Sequence, residues 1–266
     1  MEESKIPSAY QRLMRILFYP LYRKLSIWKT LRFNFHYFPL KIAIRLPVFI
    51  HWGVRLKSMK GCIDLNFPTI RPGSVRIGRA SYGFQTRYHK TIWEQLGGTV
   101  IFGNGIKIGK GTFISIGRFG LLRIGNQVKM GGNDSVICKK SITIGDYSVM
   151  AWDVQIIDTD FHHTINTIFK TVNCVEKPVV IGKNNWLGFG STILKGTVTS
   201  DHCIVAAMTV LRSDYSKAGE NILLSQETSA KVVAKYIKFD DSHLVESSEW
   251  EDIDKLINLR NKRRAV

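Results

Sequence analysis

Residues 181–211 read IGKNNWLGFGSTILKGTVTSDHCIVAAMTVL, and their period decides the fold. An anchor recurs every six positions, at Ile181, Leu187, Ile193, Thr199, Val205 and Leu211, and five of these six are apolar. Small residues follow several of them, at Gly182, Gly188, Ser200 and Ala206. Six is too short for a helical repeat and too regular for a sandwich of hairpins. Hexads of this kind build parallel β-helices, in which each short strand turns one anchor inward and the small residue permits the next corner. Each coil buries its anchors only against the coils above and below, so the repeats share one continuous core. Upstream the same step links Phe102, Ile108 and Ile114, then Ile124 and Met130, then Cys138, Ile144, Met150 and Ile156. The phase slips by ten residues after Ile114 and by eight after Met130, as loops or bulges between coils would cause.

The longest break is the segment 157–180 between Ile156 and Ile181, which contains Asp158-Thr159-Asp160-Phe161-His162-His163. Long loops thrown out from a rigid scaffold are where function tends to sit. A histidine that titrates near neutral pH can take a proton from an attacking hydroxyl and return it to a leaving group. The loop offers two such histidines, His162 and His163. Asp158 and Asp160, four and two residues before His162, are the local carboxylates that could fix a tautomer, although both also suit the turns of a loop.

Before the repeat the chain has another character. Residues 1–60 are basic and aromatic, and Leu13, Ile16, Leu17, Leu21 and Leu25 recur at three- and four-residue steps between Arg12, Arg15, Arg23 and Lys24. That is the pattern of an amphipathic helix. It fits either a cap packed on the body or on a second subunit, or a basic surface lying on anionic lipid. The whole chain of 266 residues carries +17, with a pI near 9.8, so an anionic partner is expected. No recognised nucleic-acid-reading motif accompanies the charge, which argues against a nucleic acid. Cys62, Cys138, Cys174 and Cys203 are too far apart for a zinc ribbon or a disulfide framework. They read as reduced thiols, hence a cytoplasmic protein, placed at the inner face of the membrane if residues 1–60 touch lipid. No secretory leader or long apolar run is legible. Past Arg212 the repeat stops. The stretch 229–237 reads as a short helix, and an acidic patch and a basic end follow. The expected division is therefore 1–60, 61–212 and 213–266, an all-β solenoid with a helical segment at each end.

The stretch Ile181 to Gly196 resembles the signature of the bacterial hexapeptide-repeat acyltransferases. Within them it is most similar to sugar O-acetyltransferases of the maltose and galactoside type and their relatives in surface-polysaccharide synthesis. The likeness covers about residues 61–238. It implies a left-handed β-helix, a homotrimer with sites between subunits, acetyl-coenzyme A as acyl donor, a sugar or glycan acceptor and no metal. It also places the catalytic base at His162, ahead of Pro178, Ile181-Gly182, Trp186 and Gly188. By the same resemblance Trp186, Gly190, Ala207, Arg212 and Lys231 fall at cofactor-binding positions. Gly190 and Ala207 could equally be the small corner residues that any coil needs, Trp186 a core or interface residue, and Lys231 an ordinary surface lysine. The sequence departs from the family at Ala206-Ala207-Met208-Thr209 and at Gln226 to Ala230, which bears on cofactor geometry and on the acyl group. Two rivals remain at this point. One is a non-catalytic membrane-associated scaffold; the other is a zinc enzyme of the γ-carbonic anhydrase type, to which the adjacent His162 and His163 with His202 are poorly suited.

Overall fold

The structure is a computed structural model that describes residues 24–79, 88–164 and 172–226, and the backbone of 230–234. It is a parallel β-helix with three faces, here called A, B and C. Face A stacks Val48–Ile50, Val75–Ile77, Ile106–Ile108, Lys129–Met130, Val149–Met150, Trp186–Leu187, Cys203–Val205 and Ile222–Gln226. Face B stacks Phe113–Ile116, Ser135–Cys138, Gln155–Ile157, Thr192–Ile193 and Val210–Leu211. Face C stacks Leu121–Ile124, Ser141–Ile144 and Val179–Ile181. The long strands Val54–Leu65 and Thr91–Phe102 run through both B and C: the second pairs first with Phe113–Ile116 and then with Leu121–Ile124. The described part of the coil therefore starts at Val48, before the expected position 61, and runs past 212 to Gln226.

The hexad anchors do what their spacing requires. Ile108, Ile114, Ile124, Met130, Ile144, Met150, Ile156, Ile181, Leu187, Ile193, Val205 and Leu211 are all buried in one core. Adjacent coils lie about 4.8 Å apart in a ladder of this kind, so little room remains between their corners. A Cβ on Gly109 would sit 1.2 Å from the carbonyl oxygen of Gly131, and one on Gly131 would sit 1.4 Å from that of Ala151. The small residue after an anchor is thus a requirement of close stacking.

The open end of the coil is closed by helix α1 (Ile27–Tyr37), followed by a single turn, α2 (Leu40–Ala43). The exposed ladder of strand Val48–Ile50 would otherwise invite pairing with another chain. Two helical side chains four residues apart act as a substitute strand. Asn34 donates from Nδ2 to the Val48 carbonyl at 2.7 Å and accepts the Val48 N–H on Oδ1 at 3.1 Å. Thr30 Oγ1 accepts the Ile50 N–H at 3.0 Å. Both side chains are buried, and Phe33 between them meets Trp93 edge to face with ring centroids 5.6 Å apart. The amphipathic pattern over residues 13–24 lies outside the described residues.

The other end departs from expectation. Instead of a helix over 229–237, Ala230–Ala234 forms a strand antiparallel to Ile222–Gln226, with Lys231 opposite Ser225. Val232 and Val233 favour extended backbone, and the last coil presents an open edge of backbone groups that another strand can pair with. The acidic patch and basic end beyond residue 234 lie outside the described residues.

Asn34→Ala should cost about 2–4 kcal/mol, because it leaves both polar groups of Val48 buried without partners. Arg32→Ala on the outer side of α1 should cost less than ~0.5 kcal/mol. Urea unfolding midpoints compare the two, and equal midpoints would remove the substitute-strand explanation.

Candidate active site

From Phe102 to Leu211 the anchors keep their six-residue step across the A–B and C–A edges. The departures all fall at the B–C edge. Ten residues separate Ile114 from Ile124, eight separate Val136 from Ile144, and twenty-five separate Ile156 from Ile181. The slip of eight therefore lies after Val136, one face beyond Met130. Regular stacking elsewhere forces the inserted residues of the third, fourth and fifth coils onto one ridge.

That ridge is basic and aromatic. The third coil contributes Arg118 and Phe119, the latter 85% exposed, from a Gly117–Gly120 bulge. The fourth contributes Lys139 and Lys140, and the fifth contributes Phe161, His162 and His163, all three exposed. Lys139 Nζ lies 5.8 Å from the centre of the Phe161 ring, within reach of a cation–π attraction.

The two described arms of the loop pair with each other. Thr159 bridges Glu176, the Asp160 N–H donates to the Val175 carbonyl at 2.9 Å, and the Asn173 N–H donates to the Thr164 carbonyl at 3.0 Å. Between these contacts the chain reverses tightly. The His162 N–H donates to the Asp160 carbonyl at 2.7 Å while Phe161 holds φ +62°, the hydrogen-bond pattern and sign of a γ-turn. A bulky residue in the left-handed region is strained, and such strain persists only where the surroundings enforce it. Here it lies immediately before His162.

Both carboxylates offered by the sequence are engaged by groups other than the imidazole of His162. Asp158 is buried and accepts the backbone N–H groups of Lys139, Lys140 and Ser141 at 2.7, 2.8 and 2.7 Å. It locks the fourth coil's corner and the loop's exit. Burial, and then the nearby Asp158 charge, push the Cys138 thiol up to about 12. Asp160 forms an ion pair with Lys195 and accepts from Asn173 Nδ2 at 3.2 Å. Lys195, which the sequence did not single out, also donates to the Cys174 carbonyl. It fastens both arms of the loop to the sixth coil. No spacing rule marks it, because a lysine in a Leu-Lys-Gly corner looks like any solvated cation.

The other candidates fall at separate places. Gly190, at φ +65°, and the exposed Ala207 lie at the A–B edge. There the Gly190 N–H donates to the Trp152 carbonyl at 3.0 Å, and the Met208 N–H donates to the Phe189 carbonyl at 2.8 Å. A Cβ on Gly190 would come within 2.5 Å of Met208 Sδ. Trp186 lies on face A, between Val149 and Ile204 in the ladder, and is 39% exposed. Arg212 is exposed at the B–C edge after Leu211, and the backbone of Lys231 lies in the final strand. One chain thus brings His162 and Arg212 to one edge and Gly190 with Ala207 to another. Among the described residues, no group of three or more His, Cys, Asp or Glu side chains converges as a metal site.

No family model matches the chain. Among curated proteins it is 32% identical over 124 residues to "Probable acetyltransferase Rv3034c" of Mycobacterium tuberculosis, covering 42% of this chain and 41% of that protein. It is 27% identical over 149 residues to "Putative lipopolysaccharide biosynthesis O-acetyl transferase WbbJ" of Escherichia coli K12, covering 52% of this chain and 73% of that protein. The six-residue repeat is thus carried by a chain that is similar, over part of its length, to proteins named as bacterial acetyltransferases. The match spans about two-fifths of the first relative's length. A solved structure of the polySia specific acetyltransferase NeuO aligns with 76% of this hexapeptide-repeat chain and 72% of its own, at 17% identity and a TM-score of 0.43.

Replacing Lys195 with Met should free the loop arms and leave the coil intact. Amide hydrogen exchange at residues 158–164 and 172–177 should then accelerate several-fold, with the global unfolding free energy changed by less than about 1 kcal/mol. Unchanged exchange would deny Lys195 its fastening role.

Proposed function

We propose that the chain is an acetyl-coenzyme A-dependent O-acetyltransferase acting on a sugar or glycan, with His162 as its general base. The observation that carries this reading is the placement of His162 on a strained, fastened turn at the edge where the repeat between Phe102 and Leu211 is interrupted. The curated relatives, both named as acetyltransferases, supply the reaction class. His162 takes the proton of an acceptor hydroxyl as that oxygen attacks the thioester carbonyl. The carbon–sulfur bond then breaks, and the imidazolium returns the proton to the leaving thiolate, giving an O-acetyl ester and free coenzyme A. Small residues at Gly190 and Ala207 leave backbone approachable to a pantetheine arm, and backbone amides of that kind stabilise a developing oxyanion. Arg212 and Lys231 are the cations proposed for the cofactor's phosphates, and Trp186 lines the donor's path.

Because these residues occupy two edges, a complete site needs the A–B edge of one copy beside the B–C edge of another. A homotrimer meets that requirement with three equivalent contacts. Apolar side chains near its A–B edge, Trp152 at 37%, Phe189 at 38% and Met208 at 67% exposure, give such a contact its material. The acceptor lies along the basic-aromatic ridge, where the open face of Phe119 suits stacking against a sugar ring. The name of the Escherichia coli relative directs attention to surface-polysaccharide synthesis.

The test is acetyl transfer from acetyl-coenzyme A to a panel of nucleotide sugars and lipid-linked oligosaccharides. His162→Ala should lower kcat/KM roughly 100- to 10,000-fold, and His163→Ala should stay near wild type. Full activity of the first variant would overturn the assignment of the base, and acetylation of amino groups alone would overturn O-transfer. Separately, Phe119→Ala should raise the acceptor KM about fivefold without altering the KM for acetyl-coenzyme A. An unchanged acceptor KM would take the ridge out of acceptor binding.

A further inference from the structure

Helix α1 has two apolar faces, and capping the coil uses only one. Thr30, Phe33, Asn34 and Tyr37 point at the coil. Turned by roughly 120° around the helix from these, Ile27, Trp28, Leu31 and Phe35 are 57, 74, 37 and 49% exposed. At 100° per residue these four fall within a stripe about 100° wide. Beside it Trp52 is 67% exposed, and Leu40 and Ile44 on the adjoining turn are 68 and 62% exposed. Seven large apolar side chains at one end of a folded chain form an interaction surface, since scattered exposure would not concentrate them there.

The polar groups around this surface have one sign. A groove of about 610 Å³ is lined by Trp28, Trp52, Lys29, Arg32, Arg55 and Lys90, with apolar or glycine residues completing it and no carboxylate among them. In the sequence, no Asp or Glu occurs between Glu3 and Asp64. Lys29 Nζ donates to the carbonyls of Trp52 at 2.9 Å and Val54 at 2.7 Å, which places its ammonium inside the groove. Burial, and then the proximity of Lys90, hold that ammonium below its ordinary pKa. Like charges gathered in a groove are stabilised by an anion set between them.

We propose that the outer face of α1, together with Trp52, is a docking surface for an anionic lipid leaflet: the apolar crest enters the interfacial layer and the groove's cations meet the lipid phosphates. Charge favours this occupant over a second copy's same face and over residues 1–23. A second copy would oppose Lys29, Arg32, Arg55 and Lys90 with the same cations. Residues 1–23 would bring Lys5, Arg12, Arg15 and Arg23 to them. A leaflet supplies the missing negative charge, and tryptophan is a residue that favours the interface between headgroups and acyl chains. Among the described residues no helix is long and apolar enough to cross a membrane, so the contact proposed lies on the surface. It does not depend on the chemistry assigned to His162.

The experiment is flotation of the full chain with vesicles of phosphatidylglycerol and phosphatidylcholine, and with phosphatidylcholine alone, at low and high salt. Binding should require phosphatidylglycerol and fall with salt. Trp28→Ser with Trp52→Ser should lower the partition coefficient at least about tenfold. Arg32→Glu with Arg55→Glu should lower it by about fivefold or more for each cation removed. Circular dichroism and light scattering should show unchanged fold and unchanged oligomer in both double variants, whose substituted side chains lie on the surface. Four results would each overturn the proposal: no wild-type binding, equal binding to neutral vesicles, binding that survives both double variants, or a changed oligomer in either of them. The third would move lipid contact to another part of the chain, and the last would make the face a subunit contact. Acetyl transfer to a soluble acceptor, measured in the same variants, reports on the catalytic reading separately.

Discussion

The tightness of the backbone stack governs everything else in this protein. Coils that approach until a Cβ on Gly109 would sit 1.2 Å from the next carbonyl oxygen leave little freedom to insert residues on a face, and the register shifts within a face that do occur lie in the first two coils, where Val54–Leu65 pairs with Thr91–Phe102. Core anchors and corner residues are thereby locked to the same six-residue step. An insertion survives only where it can leave the stack outward, at an edge. In the third, fourth and fifth coils the insertions share the B–C edge, while the second coil carries its own, residues 78–90, at the A–B edge. The ridge formed by Phe119, Lys139 and Phe161 follows from this restriction, and so does the placement of the histidine loop.

A stack of this kind also has two raw ends, and the protein closes them by different chemistry. At the first coil a helix presents Asn34 and Thr30, whose side chains reproduce part of the hydrogen bonding of a strand. At the last a true strand, Ala230–Ala234, pairs antiparallel and stops propagation of the parallel ladder. The helical solution has a consequence that the strand lacks. A helix exposes a whole second face to solvent, and its outward stripe is then available for another role. In α1 that stripe is apolar where an ordinary cap would be polar.

The repeat was legible because burial imposes a rigid period on the sequence: each of the anchors Ile181, Leu187, Ile193, Val205 and Leu211 is buried as its spacing demands. The histidine loop was legible for the complementary reason, as the longest gap in that period. Less was legible where one residue type serves several ends. Asp158 looked like a partner for His162, but three backbone N–H groups of the neighbouring corner claim it. Sequence distance gave no hint that residues 139–141 lie beside it. The stretch 229–237 contains residues acceptable to a helix, and the open sheet edge that makes part of it a strand is a tertiary fact. Asn34 and Thr30 read as unremarkable polar positions in a helix until the strand beneath them is seen.

The same contrast explains how an exposed histidine can be held for chemistry. A loop that leaves a solenoid and returns to it at the same corner has only its two ends fixed, and between them it would sample many shapes. In this chain the departure is bound by Asp158, the arms pair through Thr159 and Glu176, and Lys195 ties Asp160 and the Cys174 carbonyl to the sixth coil. These constraints surround the turn at Phe161, whose positive φ would relax if any neighbouring segment were loose. The turn's strain is therefore a consequence of the fastening, and the fastening in turn rests on coils that cannot shift without breaking their register. Positioning of the His162 backbone thus comes from the scaffold, with Asp160 acting through Lys195 and not through the imidazole. In the proposed mechanism, the A–B edge of a second copy would be the part supplied from outside the chain.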